Sequence, residues 1–317
     1  MSFADAIKQE ILSKPIKDTH CKLAFLAGIM RGSGVLYEKD GEIGLDLKVP
    51  SEESAFAVTM LLKSLFNYDV REVSVSENTL SKKDKFVISI NGKGSLNILK
   101  NLDILTENDG ELTVNFHLYG DINKKDCCLR AFFRGLFLAT GNCTIPKTDK
   151  SKNNTGYHLE LTFSHSAPAQ ATTNKLAKCG IFPKITRRKG NFVVYLKSAE
   201  EIKDFIAFLP APISVLKLTD LIINRELSNT SNRQKNCDLG NLNRQIEAVA
   251  KQIEAIDKIQ KEKGLNSLKP DLKQVAEARV EFPDDTLIEL ADRLNISKSC
   301  LNHRLRKIVS IANDIER

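Results

Sequence analysis

The strongest constraint on this chain is a stretch of sequence that it uses twice. Cys21-Lys-Leu-Ala-Phe-Leu-Ala-Gly-Ile-Met-Arg-Gly-Ser-Gly34 returns as Cys128-Leu-Arg-Ala-Phe-Phe-Arg-Gly-Leu-Phe-Leu-Ala-Thr-Gly141, an offset of 107 from position 21 to position 128. Cys, Ala, Phe and two Gly positions stay in register. Self-similarity at a long fixed period marks a duplicated supersecondary unit, so the first two thirds of the chain are expected to contain the same fold twice.

The sequence after each copy supports this. The first is followed by strand-like runs over 35–37 and 43–49 around an Asp40-Gly41 turn, then a helical pattern over 51–66. A second hairpin is expected from 70–76 and 85–90, and a closing helix over 95–102. The second copy leads to a strand near 142–146, a long polar loop, and a run in which Tyr157, Leu159, Leu161 and Phe163 alternate with polar residues. A helix over 167–179, a turn at Lys189-Gly190-Asn191 and a Ser198/Glu201 capping box complete the second set. Each half reads as αββαββα, an α+β unit with internal pseudo-symmetry.

Leu26-Ala-Gly-Ile-Met-Arg-Gly-Ser-Gly34 resembles a LAGLIDADG motif, and Phe133-Arg-Gly-Leu-Phe-Leu-Ala-Thr-Gly141 resembles its partner. In that homing-endonuclease family the two motif helices pack at a pseudo-dyad, which fits the small residues Gly28, Gly32, Gly135 and Ala139. The resemblance also implies two antiparallel sheets forming a saddle over DNA, with metal-binding carboxylates at the helix ends. Here those positions carry Ser33 and Thr140. A neutral hydroxyl does not gather divalent cations around a phosphate, so no catalytic residue and no metal or other cofactor is expected.

Beyond Pro210 and Pro212 the strand patterns stop. Helices are expected over 215–227, 239–263 and 272–279, with a polar break over 229–236. Leu287, Leu290, Ala291 and Leu294 then mark a short helix, Asn295-Ile296-Ser297 a tight turn, and Leu301, Leu305, Ile308 and Ile311 the inner face of a second helix. That is helix-turn-helix spacing, over about 286–311. Asn295 suits a left-handed turn position and Ser297 can cap the second helix. From Ser297 to Asn313 there is no acidic residue. Ser297, Lys298, Ser299, Asn302, His303, Arg304, Arg306 and Lys307 are the candidate DNA contacts, the polar groups near the helix start for base edges and the cations beyond for phosphates.

The repeats and the helical region define three expected segments, 1–122, 123–211 and 212–317. This combination resembles the WhiA family of Gram-positive regulators. Cys127-Cys-Leu-Arg-Ala-Phe-Phe-Arg-Gly135, Val193-Val-Tyr-Leu-Lys197, Asn232-Arg-Gln-Lys-Asn-Cys-Asp238 and Ile296-Ser-Lys-Ser-Cys-Leu-Asn-His-Arg-Leu-Arg-Lys-Ile308 carry the likeness. The resemblance implies a transcription factor acting in sporulation, or in cell division and chromosome segregation.

Charge agrees with a nucleic-acid partner without demanding one. The formal net charge is +7, but it is concentrated: Lys147, Lys150, Lys152, Lys175, Lys178, Lys184, Arg187, Arg188, Lys189 and Lys197 face only Asp149 and Glu160 between 143 and 197. Lys184, Arg187, Arg188 and Lys189 are candidate secondary phosphate contacts, or a docking patch for RNA polymerase or another regulator. The loop over 147–155 is longer and richer in lysine than a hairpin needs. The first 14 residues lack the apolar core of a signal peptide, so no membrane partner is expected. Seven cysteines without C-x-x-C spacing argue against a disulfide framework and a zinc site, with Cys127 and Cys128 read as small packing residues. A cytoplasmic, nucleoid-associated protein fits.

Two rivals remain. An active LAGLIDADG-type endonuclease would need carboxylates from elsewhere, such as Asp46, Asp69 or Glu160. A protein-interaction adaptor would use the basic lobe against acidic partners, without base preference on DNA. Asn91-Gly-Lys-Gly-Ser95 lacks the spacing of a phosphate loop and reads as a turn with a helix cap.

Overall fold

The repeat in the sequence is a repeat in space. A computed structural model describes residues 2–39, 41–76, 85–92, 94–116, 125–146 and 156–315. Helices α2 (Thr19–Ser33) and α5 (Asp126–Thr140) carry the two copies and pack face to face. A Cβ on Gly28 would stand 2.1 Å from the carbonyl oxygen of Phe132, so only a bare backbone permits this crossing.

Each motif helix passes straight into the first strand of a four-stranded antiparallel sheet. The first sheet has the order β1 (Gly34–Lys39), β2 (Glu42–Val49), β4 (Lys85–Ile90), β3 (Glu72–Ser76). The second has the same order in β7 (Gly141–Thr144), β8 (His158–Phe163), β10 (Asn191–Leu196), β9 (Lys184–Arg188). Even the register repeats, with Gly34 opposite Leu47 and Gly141 opposite Leu161. Alternation does the sorting: Leu45 and Leu47, like Leu159, Leu161 and Phe163, are buried while Asp46, Glu160 and Thr162 between them are more exposed. Helices α3 (Glu52–Phe66) and α4 (Ser95–Asn101) pack on the first sheet, α6 (Ser166–Lys178) on the second, and α7 (Ala199–Phe208) follows β10. One continuous core joins the repeats, with Phe133 and Phe137 of α5 against Phe205 of α7.

Helix α1 (Phe3–Ser13), opened by a Ser2/Asp5 capping box, is tied in by two buried charges. Glu10 accepts hydrogen bonds from the backbone N–H groups of Ile213 and Ser214 at 2.8 and 2.9 Å, satisfying the start of α8 (Pro212–Glu262). Arg134 donates to the carbonyls of Ile11 and Lys14 at 2.7 and 2.8 Å.

The chain divides into compact units Met1–Asn224 and Arg225–Arg317. The second has its own core, in which Ile256 and Ile259 of α8 meet α9 (Pro270–Glu281), α10 (Leu287–Arg293) and α11 (Lys298–Asp314). A 3₁₀ turn, Leu265–Ser267, links α8 to α9. Arg279, fully buried, donates to the carbonyl of Asp285 at 2.8 Å and fixes the approach to α10.

Two expectations are corrected, and one element is new. The polar break over 229–236 does not exist, because α8 runs 51 residues without interruption. The Ser and Asn residues there are only mildly unfavourable in a helix, no proline intervenes, and side-chain pairs such as Gln234 to Asp238 at 3.0 Å support it. Ser198 takes the N-cap position of α7 but makes no side-chain cap bond, so the capping box is absent there. A hairpin, β5 (Leu105–Asn108) with β6 (Glu111–Val114), was not anticipated although Asp109-Gly110 supplies its two left-handed residues. Asp40, Lys93 and the loop 147–155 lie outside the described residues.

Candidate nucleic-acid interface

The turn between α10 and α11 is built from local chemistry. Thr286 and Glu289 form a reciprocal capping box at the start of α10, a signal visible in the sequence as Thr-x-x-Glu. Asn295 then adopts φ 51°, the left-handed conformation expected of it. Its N–H donates to the carbonyl of Asp292, and that of Ile296 to Ala291, closing the exposed helix end at 3.1 and 3.0 Å. Ser297 caps α11 by accepting from the N–H of Cys300 at 3.2 Å and lies 3.1 Å from the hydroxyl of Ser299.

Helical periodicity divides the rest. Leu301, Leu305, Ile308 and Ala312 are buried against α9 and α10, whereas Ile311 is only half-buried. Lys298, Ser299, His303, Arg306 and Lys307 are exposed, with Asn302 half-buried on the same side. Arg304 differs, being half-buried and 3.6 Å from the Asp271 carboxylate of α9. Among the described residues the cations of this face with no ion pair are Lys298, Arg306 and Lys307, a narrower set than the sequence suggests.

The second basic group sits on an edge strand. Lys184, Arg187 and Arg188 lie on β9, and Lys189 (φ 50°) with Gly190 (φ 82°) makes the tight turn into β10. All four side chains are exposed, with Arg187 resting over the ring of Phe192. Charge on a sheet edge discourages pairing with other strands, so this placement has a structural use besides any phosphate contact.

At the C-terminal ends of the motif helices, Ser33 and Thr140 turn inward. The Ser33 hydroxyl donates to the carbonyl of Ile29 at 3.2 Å, and that of Thr140 to Leu136 at 2.9 Å, the same bond on each side of the pseudo-dyad. The carboxylates that could have substituted are engaged elsewhere. Asp46 accepts from Ser89 at 2.7 Å, Asp69 meets Lys63 at 2.6 Å, and Glu160 meets His158 at 3.0 Å. Nearby, Arg31 bonds the carbonyls of Asp103 and Asn115, and burial, opposed by Asp103, pushes its guanidinium down to about 10. Arg31 lines a cavity of about 450 Å³ together with Phe116, Phe163 and His165.

The expectation of no zinc site rested on local cysteine spacing, a rule that does not reach residues brought together from two helices. His20, Cys21, Cys127 and Cys128 converge at the opposite, N-terminal ends of α2 and α5. The signal was present in the repeat, since the pairs 20–21 and 127–128 are related by the same offset of 107.

Comparison with known proteins agrees with this architecture. Residues 19–105 match the WhiA N-terminal LAGLIDADG-like domain, 129–228 the WhiA LAGLIDADG-like domain, and 231–312 the WhiA C-terminal HTH domain. The chain is 33% identical over 322 residues to a protein of Clostridium novyi (strain NT) named "Probable cell division protein WhiA", covering 100% of this chain and 99% of that one. A protein of the same name from Caldicellulosiruptor saccharolyticus is 32% identical, with 100% and 96% covered. Among solved structures, full-length WhiA from Thermatoga maritima superimposes with a TM-score of 0.59 at 23% identity, covering 99% of both chains. No described helix is long and apolar enough to cross a membrane. With matching models across both regions and relatives spanning its full length, this chain belongs to the WhiA family, with LAGLIDADG-like repeats ahead of a C-terminal helix-turn-helix domain.

Proposed function

We propose that the protein is a sequence-specific double-stranded DNA-binding transcription regulator whose LAGLIDADG-like unit has no nuclease activity. The observation that carries this reading is the outer face of α11, where Ser299, Asn302 and His303 precede Arg306 and Lys307. Side chains near the start of a recognition helix read base edges, and cations beyond them meet phosphates. The basic edge of β9 adds attraction that is indifferent to sequence, or docks RNA polymerase or another regulator. The loss of chemistry is supported by Ser33 and Thr140, which spend their hydroxyls on their own helices where the nuclease scaffold needs carboxylates. DNA binding would place the protein on the nucleoid. The relatives' name points to cell division as the process served, with chromosome segregation or sporulation as the related settings.

A fluorescence-anisotropy titration on duplexes enriched from genomic DNA tests the reading, with cleavage followed on a gel with and without magnesium. Binding that weakens in Arg306→Ala/Lys307→Ala, with the DNA intact throughout, is the expected result. Cut or nicked DNA would overturn the non-catalytic assignment, and unchanged binding would move the DNA contact away from α11.

A further inference from the structure

The first turns of α2 and α5 bring together a set of ligands that neither DNA binding nor the fold's ancestry requires. Nδ1 of His20 lies 3.2 Å from the sulfur of Cys21 and 3.2 Å from that of Cys128, across the pseudo-dyad. The four donor atoms of His20, Cys21, Cys127 and Cys128 all fall within 4.8 Å of one another. Tetrahedral zinc with three sulfurs and one nitrogen separates its ligands by about 3.5–3.8 Å, given bonds of roughly 2.3 Å to sulfur and 2.0 Å to nitrogen. The cluster brackets that spacing with only small side-chain adjustments.

We propose that His20, Cys21, Cys127 and Cys128 form a structural zinc site that joins the N-terminal turns of the two motif helices. The ligand chemistry selects the ion, because thiolates with one imidazole favour zinc over hard cations such as magnesium. Four protein ligands leave no open position, which makes the site structural. Both helices begin here without a side-chain cap, and their N-terminal dipoles favour the negative charge of thiolates. A divalent ion bound here would take the cysteines as thiolates and release their protons on binding.

The site explains an asymmetry in the duplication. Position 127 carries cysteine where position 20 carries histidine, and both are competent zinc ligands. It lies about 18 Å along the helices from Ser33 and Thr140, at a rise of roughly 1.5 Å per residue, and so owes nothing to the former nuclease centre.

The test is elemental analysis of the full-length protein purified without chelator, paired with a free-thiol titration in denaturant without reductant. One zinc per chain is expected, with all seven thiols recovered after the ion is chelated. Cys21→Ser/Cys128→Ser should lose the zinc, whereas His20→Cys should keep it by supplying a fourth sulfur. Because the double variant can fail to fold, reduced and chelator-treated wild type is also titrated with cobalt(II). A sulfur-to-cobalt charge-transfer band saturating at one equivalent supports the site. Absence of that band, stoichiometric iron in place of zinc, zinc retained by the double variant, or two thiols missing through a disulfide would each overturn the proposal.

Discussion

The backbone of Gly135 lies so close to Phe25 that a Cβ at this glycine would stand 2.0 Å from the Phe25 carbonyl oxygen. The oxygen belongs to a helix backbone and cannot swing aside as a flexible side chain would. The two motif helices would have to separate, opening the core shared by both repeats.

Gly135→Ala should therefore destabilise the protein by about 3 kcal/mol, at the upper end of the usual cost of overpacking. Gly240→Ala is the control, since it lies in an exposed helix with nothing within 4 Å of its added methyl. It should be stabilising by about 1 kcal/mol. Urea denaturation read by circular dichroism separates the two.

Base discrimination should depend on the start of α11. Asn302→Ala or His303→Ala is expected to cost about 1–3 kcal/mol on the preferred site and little on random duplex. Arg306→Ala or Lys307→Ala should weaken both and lower the salt dependence by about one ion each. Anisotropy titrations over a range of salt on the two duplexes measure both effects. Equal losses on both duplexes for Asn302→Ala would remove it from the set of base readers.

The turn offers a test that needs no DNA. Ser297→Ala removes the cap on the N–H of Cys300 and should cost about 1 kcal/mol. Asn295→Val forces a β-branched residue to φ 51° and should cost about 1–2 kcal/mol, whereas Asn295→Gly should be neutral or stabilising. Thermal melts of the three variants give the ranking.

These residues also show what the sequence made legible. Asn295 and Ser297 act within a few residues of themselves, so their roles could be read from local chemistry. The repeat exposed the pseudo-dyad because the close approach at Gly28 and Gly135 leaves no freedom to substitute. By contrast, the pairing of Arg304 with Asp271 and the meeting of His20 with Cys128 depend on tertiary placement. No spacing rule applied within one segment could reach them. The continuous helix through 229–236 failed for another reason: residue propensities of a few tenths of a kcal/mol were given the weight of a helix stop.

Cys143 predicts an alkaline limit. Burial pushes its thiol up to about 12, above its ordinary value of 9.0. Above pH 9 the unfolded chain sheds this proton while the folded chain retains it, so stability is full below that value and is lost as pH rises toward 12. The loss approaches about 1.4 kcal/mol per pH unit. Cys143→Val should flatten the decline relative to wild type in denaturation curves taken between pH 8 and about 10.5.

The Glu10 carboxylate has a consequence for biosynthesis. Its partners Ile213 and Ser214 are about 200 residues downstream, and they are the first turn of a helix that the ribosome makes only after both repeats. Helix α1 emerges long before them, so the groups that fix its buried carboxylate arrive near the end of the unit. Closing so long a loop is slow, and nascent chains with unburied apolar helices are vulnerable while they wait. The eleven residues of α1 therefore gain this second anchor only after the one from Arg134, and a chain truncated before Pro212 would leave Glu10 without its backbone partners.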